Sequence, residues 1–152
     1  DAVPDRDSFL VMGYQPSRII YKNNELYLNV FTSTAYGHPI FDIADACVSI
    51  VFTAESTQIN EKFKNLVLNM SGKMGMQFWN AFIRKYFKFE VDMEYVKVDD
   101  LIRQFALLKL LITPILAPDL EEEYMSTSLE YCRKKFFPTI DKCINDVKHI
   151  QF

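Results

Sequence analysis

The chain has 152 residues, 49% hydrophobic and 24% charged, which is the composition of one globular domain and excludes a disordered one. Its net charge of -3 and pI near 5.4 give no electrostatic reason to expect a nucleic-acid partner, because phosphate binding draws on clustered Lys and Arg. At this length folding removes roughly 68 to 70% of the unfolded chain's surface from water, so a core needs neither metal nor a disulfide framework.

Residues 1 to 17 read as an irregular arm punctuated by Pro4, Gly13 and Pro16, with Phe9, Leu10 and Val11 as a short apolar plug. From Arg18 the pattern turns β-rich. RIIYK and ELYLNVFT flank Asn23 and Asn24, two residues that tolerate the positive φ of a type I′ turn, which predicts a hairpin. TAYGHP, Thr34 to Pro39, predicts a loop, and CVSIVFT, Cys47 to Thr53, alternates like a third strand packed against helices. The β-rich part is thus expected to span 18–55 and the helical part 56–152, within a single domain.

Ser56 or Thr57 is expected to cap a first helix carrying Ile59, Phe63, Leu66 and Met70, with Ser71 and Gly72 ending or bending it. Lys73 to Phe89 is the most amphipathic stretch: Phe78, Trp79, Phe82, Ile83, Tyr86, Phe87 and Phe89 form one arc, and Gln77, Asn80, Arg84, Lys85 and Lys88 the other. Leu101 to Leu116 is apolar on nearly every side and too short to span a bilayer, which predicts a central core helix capped by Asp99 and closed or kinked at Pro114. Pro118 should open a last helix, with Asp119 and Glu121 to Glu123 complementing its positive end, and Pro138 should break it before an apolar stripe of Ile140, Cys143, Ile144 and Val147. The expected architecture is α+β: a small antiparallel sheet, made of the hairpin plus one strand, followed by a four-helix C-terminal bundle.

Three cysteines permit one intramolecular bridge at most. Cys132 and Cys143, eleven positions apart, would stand about 16 Å apart on a straight helix, too far to pair unless the chain folds back at Pro138. A bridge from Cys47 to either would staple the sheet to the last helix; the alternative is three free thiols acting as small hydrophobes. The chain opens DAVPDRD without Met, which as a processed start implies a lost signal peptide and secretion. Asn69, Met70 and Ser71 form a glycosylation sequon consistent with that localisation.

Motifs of high specificity are absent, among them HExxH, CxxC, GxGxxG, a full P-loop and GxSxG. Ser71, Gly72 and Lys73 match only the tail of a P-loop and read as a helix break. His38, beside Asp42 and Asp45, is the strongest catalytic candidate, and the two acids read more simply as capping or solvated groups. No catalytic residue, metal ligand or cofactor is assigned.

The surplus of Phe, Tyr and Met favours a non-enzymatic binding protein that encloses an apolar, lipid-like small molecule between sheet and helices. Phe78, Phe82, Tyr86, Phe105 and Tyr124 are the expected lining of a closed cavity of several hundred Å³. The alternatives are a protein-interaction module docking through an exposed aromatic or basic helix face, and a hydrolase-like enzyme using His38. A membrane surface met through 73–89 is less favoured than a core helix with a solvated cationic face.

Overall fold

The computed structural model describes residues 8–11, 18–29, 34–89, 91–115, 130, 133–134 and 137–146. The fold is α+β. Among the described residues its strands are β1 (Ser8–Leu10), β2 (Ile19–Lys22), β3 (Glu25–Leu28) and β4 (Ala35–Gly37). They form two separate antiparallel pairs, β1 with β4 and β2 with β3.

The expected hairpin is β2–β3, with Ile20 opposite Tyr27 and Lys22 opposite Glu25. Asn23 and Asn24 hold φ of 53° and 63°, so the turn twists in the same sense as the strands it joins. Tyr21 Oη donates to Asn24 Oδ1 at 2.5 Å and braces it. The β1–β4 pair was not legible locally, because Phe9 meets Tyr36 across 27 residues of chain. TAYGHP is therefore not simply a loop: its centre is β4. The apolar plug also splits by strand alternation, with Leu10 buried and Phe9 left 64% exposed.

The strand expected over Cys47 to Thr53 is instead helix. Residues 40–55 run as α1 (Ile40–Cys47), a π-helical turn (Val48–Phe52) and α2 (Thr53–Glu55). Over this longer window Ile40, Ile43, Ala44, Cys47, Ile50, Val51 and Ala54 recur at helical spacing, and all are buried. That continuous face outweighs the β-propensity of Val, Ile and Phe, which reflects packing context more than backbone preference. The β-rich region thus ends before Ile40, and among the described residues neither strand pair has a third strand.

Helix α3 (Glu61–Leu68) is capped by Asn60, whose Oδ1 accepts the Phe63 N–H at 2.9 Å, and not by Ser56 or Thr57. Ser71 does separate two helices, because its hydroxyl accepts the Met74 N–H and opens α4 (Gly72–Phe87). Lys88 ends α4 at φ 57°, with its own N–H and that of Phe89 donating to the Arg84 carbonyl. A side chain in this left-handed geometry costs roughly 1 kcal/mol that glycine does not. Lys88→Gly should accordingly raise unfolding free energy by about 1 kcal/mol, measured by urea titration.

Helix α5 (Asp92–Ile115) begins seven residues before Asp99 and runs through Pro114, so Asp99 is an interior residue and not a cap. The central-helix expectation holds for Leu101, Ile102 and Ala106, all fully buried as is Val98 before them, whereas Leu110 is 40% exposed. The buried face is thus a stripe, and α5 is not enclosed all round. Helix α6 (Phe137–Asp146) carries Pro138 at its second position, where the missing N–H lacks a helical partner in any case. Pro138 therefore starts a helix. Pro118, Glu121 to Glu123, Cys132 and Val147 lie outside the described residues.

The core is built where α1 and the π-turn meet α5, closed by Trp79 and Ile83 from α4 and by Ile140 from α6. Packing centres on α1 and α5, so it differs from a bundle of four C-terminal helices.

Candidate functional site

Helices α4 and α5 run antiparallel, tied by a ladder of polar contacts. Trp79 Nε1 donates to Asp99 Oδ1 at 2.7 Å, Tyr95 Oη donates to Asn80 Oδ1, and Arg84 pairs with Asp92 at 2.6 Å while stacking over the Tyr95 ring. Arg103 then links three elements, donating from Nε to Asp99 Oδ2 at 2.7 Å and as a fork to both oxygens of Glu55 at 2.8 and 3.0 Å. This network holds Trp79 in the core, where it is fully enclosed. Trp79 is therefore not available to a membrane interface.

With Trp79 fixed, Phe82 and Tyr86 of that arc of α4 reach residues of the strands. Tyr86 is seven positions from Trp79 and three from Ile83, so all three share a helix face. Trp79 and Ile83 are fully buried, yet Tyr86 is 42% exposed. The difference is a cleft. It has a volume of about 310 Å³, is open to solvent, and is bounded by Ser8, Phe9 and Val11 on one side and Leu28 on another. Pro39, Asp42, Ile43 and Ala46 of the α1 region and Phe82 and Tyr86 of α4 complete the lining among the described residues.

Of the five expected lining residues, Phe82 and Tyr86 are brought together here, with ring centroids 5.8 Å apart. Phe78 stacks on Phe82 at 6.4 Å but does not line the cleft. Phe105 packs edge-on against Phe41 at 6.1 Å and is separate from it. Tyr124 lies outside the described residues. Among the described residues the space between strands and helices is an open cleft, while that between α1, α4 and α5 is filled by Trp79, Ile83, Leu101 and Ile102. Ser8 and Phe9 escaped the sequence reading as lining, since their strand is formed by the long-range β1–β4 pairing, whereas Leu28 comes from the β2–β3 hairpin.

The polar groups beside the cleft are those first read as a catalytic candidate. Asp42 Oδ2 accepts the Val11 N–H at 2.7 Å, and His38 Nδ1 accepts the Ile40 N–H at 3.2 Å. Asp45, one turn after Asp42, is buried and paired with Lys109 of α5. Burial holds the Lys109 ammonium below its ordinary pKa, and the Asp42 charge opposes that shift. Each of these groups thus has a structural engagement. A second, shallower groove of about 480 Å³ follows Asn60, Lys62, Phe63, Asn65 and Leu66 on α3. Its lining among the described residues comes from one helix and its cap.

Cys47 and Cys143 are both free, which removes the bridge from Cys47 to the last helix. Burial pushes the Cys47 thiol up to about 12 from 9.0, so the folded chain keeps its proton where the unfolded chain loses it. Its contribution to stability is complete below pH 9 and is lost as pH rises toward 12. Unfolding free energy should therefore fall more steeply over that window in the native chain than in Cys47→Ala, by on the order of 1 kcal/mol per pH unit. Denaturant titrations at stepped alkaline pH measure the difference. Asn69 is exposed at the end of α3 with φ 55°, while the sequon's Ser71 hydroxyl is engaged as the α4 cap.

Among the described residues no group of three or more His, Cys, Asp or Glu side chains is arranged to hold a metal ion, and no helix is long and apolar enough to cross a membrane. Comparison of the chain with protein-family models, curated proteins and solved structures finds no match.

Proposed function

We propose that the chain is a non-enzymatic binding protein that takes an apolar small molecule into the cleft between the strands and helices α1 and α4. One observation carries this reading: the Tyr86 ring lies on the buried arc of α4 but faces open space where Trp79 and Ile83 face packed core. A volume of about 310 Å³ is at the lower end of small-molecule sites, and the lining is mainly apolar with a few polar groups, as such sites are.

Titration with the neutral fluorophore N-phenyl-1-naphthylamine tests it. Saturable one-to-one binding is expected, weakened about tenfold in Tyr86→Ala, a loss equivalent to about 1.4 kcal/mol. Absence of saturable binding, together with no apolar compound in a solvent extract of the purified protein by mass spectrometry, would overturn the reading.

The β2–β3 hairpin supports a second reading, a protein-interaction module. Tyr21 and Leu26 face each other across the strands and are 67% and 73% exposed, and Ile20 and Tyr27 on the opposite face are each 48% exposed. Apolar surface of this kind is a feature of docking sites. A chain that sediments as a monomer with no change on Leu26→Glu would count against self-association through this face.

A further inference from the structure

We propose that the free edge of β3 pairs with the same edge of a second copy of the chain, antiparallel and with Tyr27 opposite Tyr27, to give a four-stranded sheet in the order β2–β3–β3–β2. The inference rests on the protein-interaction reading of the hairpin and names both its partner and its register.

The backbone sets the geometry. The Asn29 N–H donates to the Arg18 carbonyl at 2.9 Å, which makes Arg18 and Asn29 a hydrogen-bonded pair of the hairpin. By the alternation of an antiparallel ladder Ile20–Tyr27 and Lys22–Glu25 are bonded pairs as well, so Leu26 and Leu28 turn their N–H and C=O groups away from β2. Among the described residues these groups have no other hydrogen-bond partner, and β3 is exposed along its whole length. An antiparallel strand with its own Leu28 opposite Leu26, and its Leu26 opposite Leu28, satisfies every one of them. That register is its own image under a two-fold axis at Tyr27, so the contact closes after two copies.

The charge pattern selects this edge. With Tyr27 on the axis, Glu25 stands opposite Asn29, whose amide can donate to it, and no charge meets a like charge. The edge of β2 offers the opposite case, because self-pairing about Ile20 would set Arg18 against Lys22 at both ends. Arg18 is only partly exposed, with Nη1 buried, so water screens that repulsion less than it would between solvated side chains. The β2 edges therefore stay outermost, where a lysine guards them against further pairing. A two-stranded hairpin is marginal in water by itself, and two more strands relieve that. The shared strip is small beside the interfaces of permanent dimers, so the expected Kd is on the order of 100 µM.

Sedimentation velocity of the full chain from about 10 µM to 1 mM should show a monomer–dimer equilibrium and nothing larger. Leu26→Pro removes an N–H that faces outward, a place where an edge strand tolerates proline, and should weaken the dimer at least about tenfold. Tyr27→Cys gives the register itself. Directly opposite residues at a non-bonded position stand about 4.5 Å apart at Cα, within disulfide reach, so glutathione disulfide should convert this variant to a covalent dimer. Ile20→Cys, on the outer strand, would stand roughly 14 Å from its copy and should remain uncross-linked, as should the native thiols.

A chain that stays monomeric throughout, association that grows beyond the dimer, or equal cross-linking of Ile20→Cys and Tyr27→Cys overturns the inference. A dimer indifferent to Leu26→Pro whose Tyr27→Cys form does not cross-link also overturns it, by placing self-association on another surface. The docking reading of the hairpin is decided separately, by fluorescence anisotropy of a labelled peptide of alternating Thr and Val on the native chain. Binding of that peptide to a monomer keeps the docking reading and overturns only the second copy as partner; its failure to bind a monomer overturns both. Native-chain sedimentation and the two cysteine variants decide the matter even if Leu26→Pro disturbs the hairpin.

Discussion

Asp99→Ala should destabilise the chain by about 2–4 kcal/mol, a large share of the 5–15 kcal/mol that holds a domain of this kind. The cause is what the substitution leaves behind. Trp79 Nε1, enclosed in the core, loses its acceptor, and the Arg103 guanidinium loses one of its two carboxylates, keeping only Glu55. Asp99→Asn should recover little, because an amide that accepts from Trp79 with its oxygen turns a donor toward Arg103 Nε. Trp79→Phe removes the donor and leaves Asp99 paired with Arg103, so its cost should be smaller. The urea midpoint of Asp99→Ala should fall by about 1 M or more. A Trp79→Phe, Asp99→Ala double-mutant cycle should show non-additive coupling, because the two residues share one hydrogen bond. Additive losses would show that the ladder between α4 and α5 adds nothing beyond packing.

Gly72→Ala should cost about 1–3 kcal/mol, whereas Gly75→Ala, one turn further along α4, should be close to neutral. Both glycines lie against Ala54 but meet different atoms. A Cβ on Gly72 would stand 3.1 Å from the backbone carbonyl oxygen of Ala54, which also accepts the buried Lys64 Nζ at 2.9 Å. That oxygen cannot move without disturbing the lysine that depends on it, and Lys64 is nearly enclosed. A Cβ on Gly75 would stand 3.3 Å from Leu68 Cδ1, the free end of a flexible side chain, with Ala54 Cβ at 3.6 Å. A small shift of Leu68 relieves that contact, and alanine's higher helix propensity, by about 1 kcal/mol over glycine, offsets the rest. Thermal unfolding of the two variants side by side tests the distinction. Equal losses would mean that α4 and α2 are free to move apart.

The sequence by itself determined the features that depend on neighbouring residues. Asn23 and Asn24 specify the hairpin because two consecutive positive-φ positions are a local demand. Ser71 specifies the start of α4, and the arc from Trp79 to Ile83 identifies its buried face, because a cap and a helical period are both contained within a few turns.

Only the tertiary structure decided what depends on partners distant in the chain. Residues 47–53 alternate well enough for a strand, and become helix because Ile40 to Ala54 gains a continuous buried face against α5 and α4. Asp99 and Asp45 have the composition of cap and surface residues, and are buried because Trp79 with Arg103, and Lys109, supply the donors that burial of a carboxylate requires. The cleft follows the same rule: its strand wall exists because Ser8 to Leu10 pairs with Ala35 to Gly37, and backbone hydrogen bonding across that separation leaves no periodic mark in the residues between.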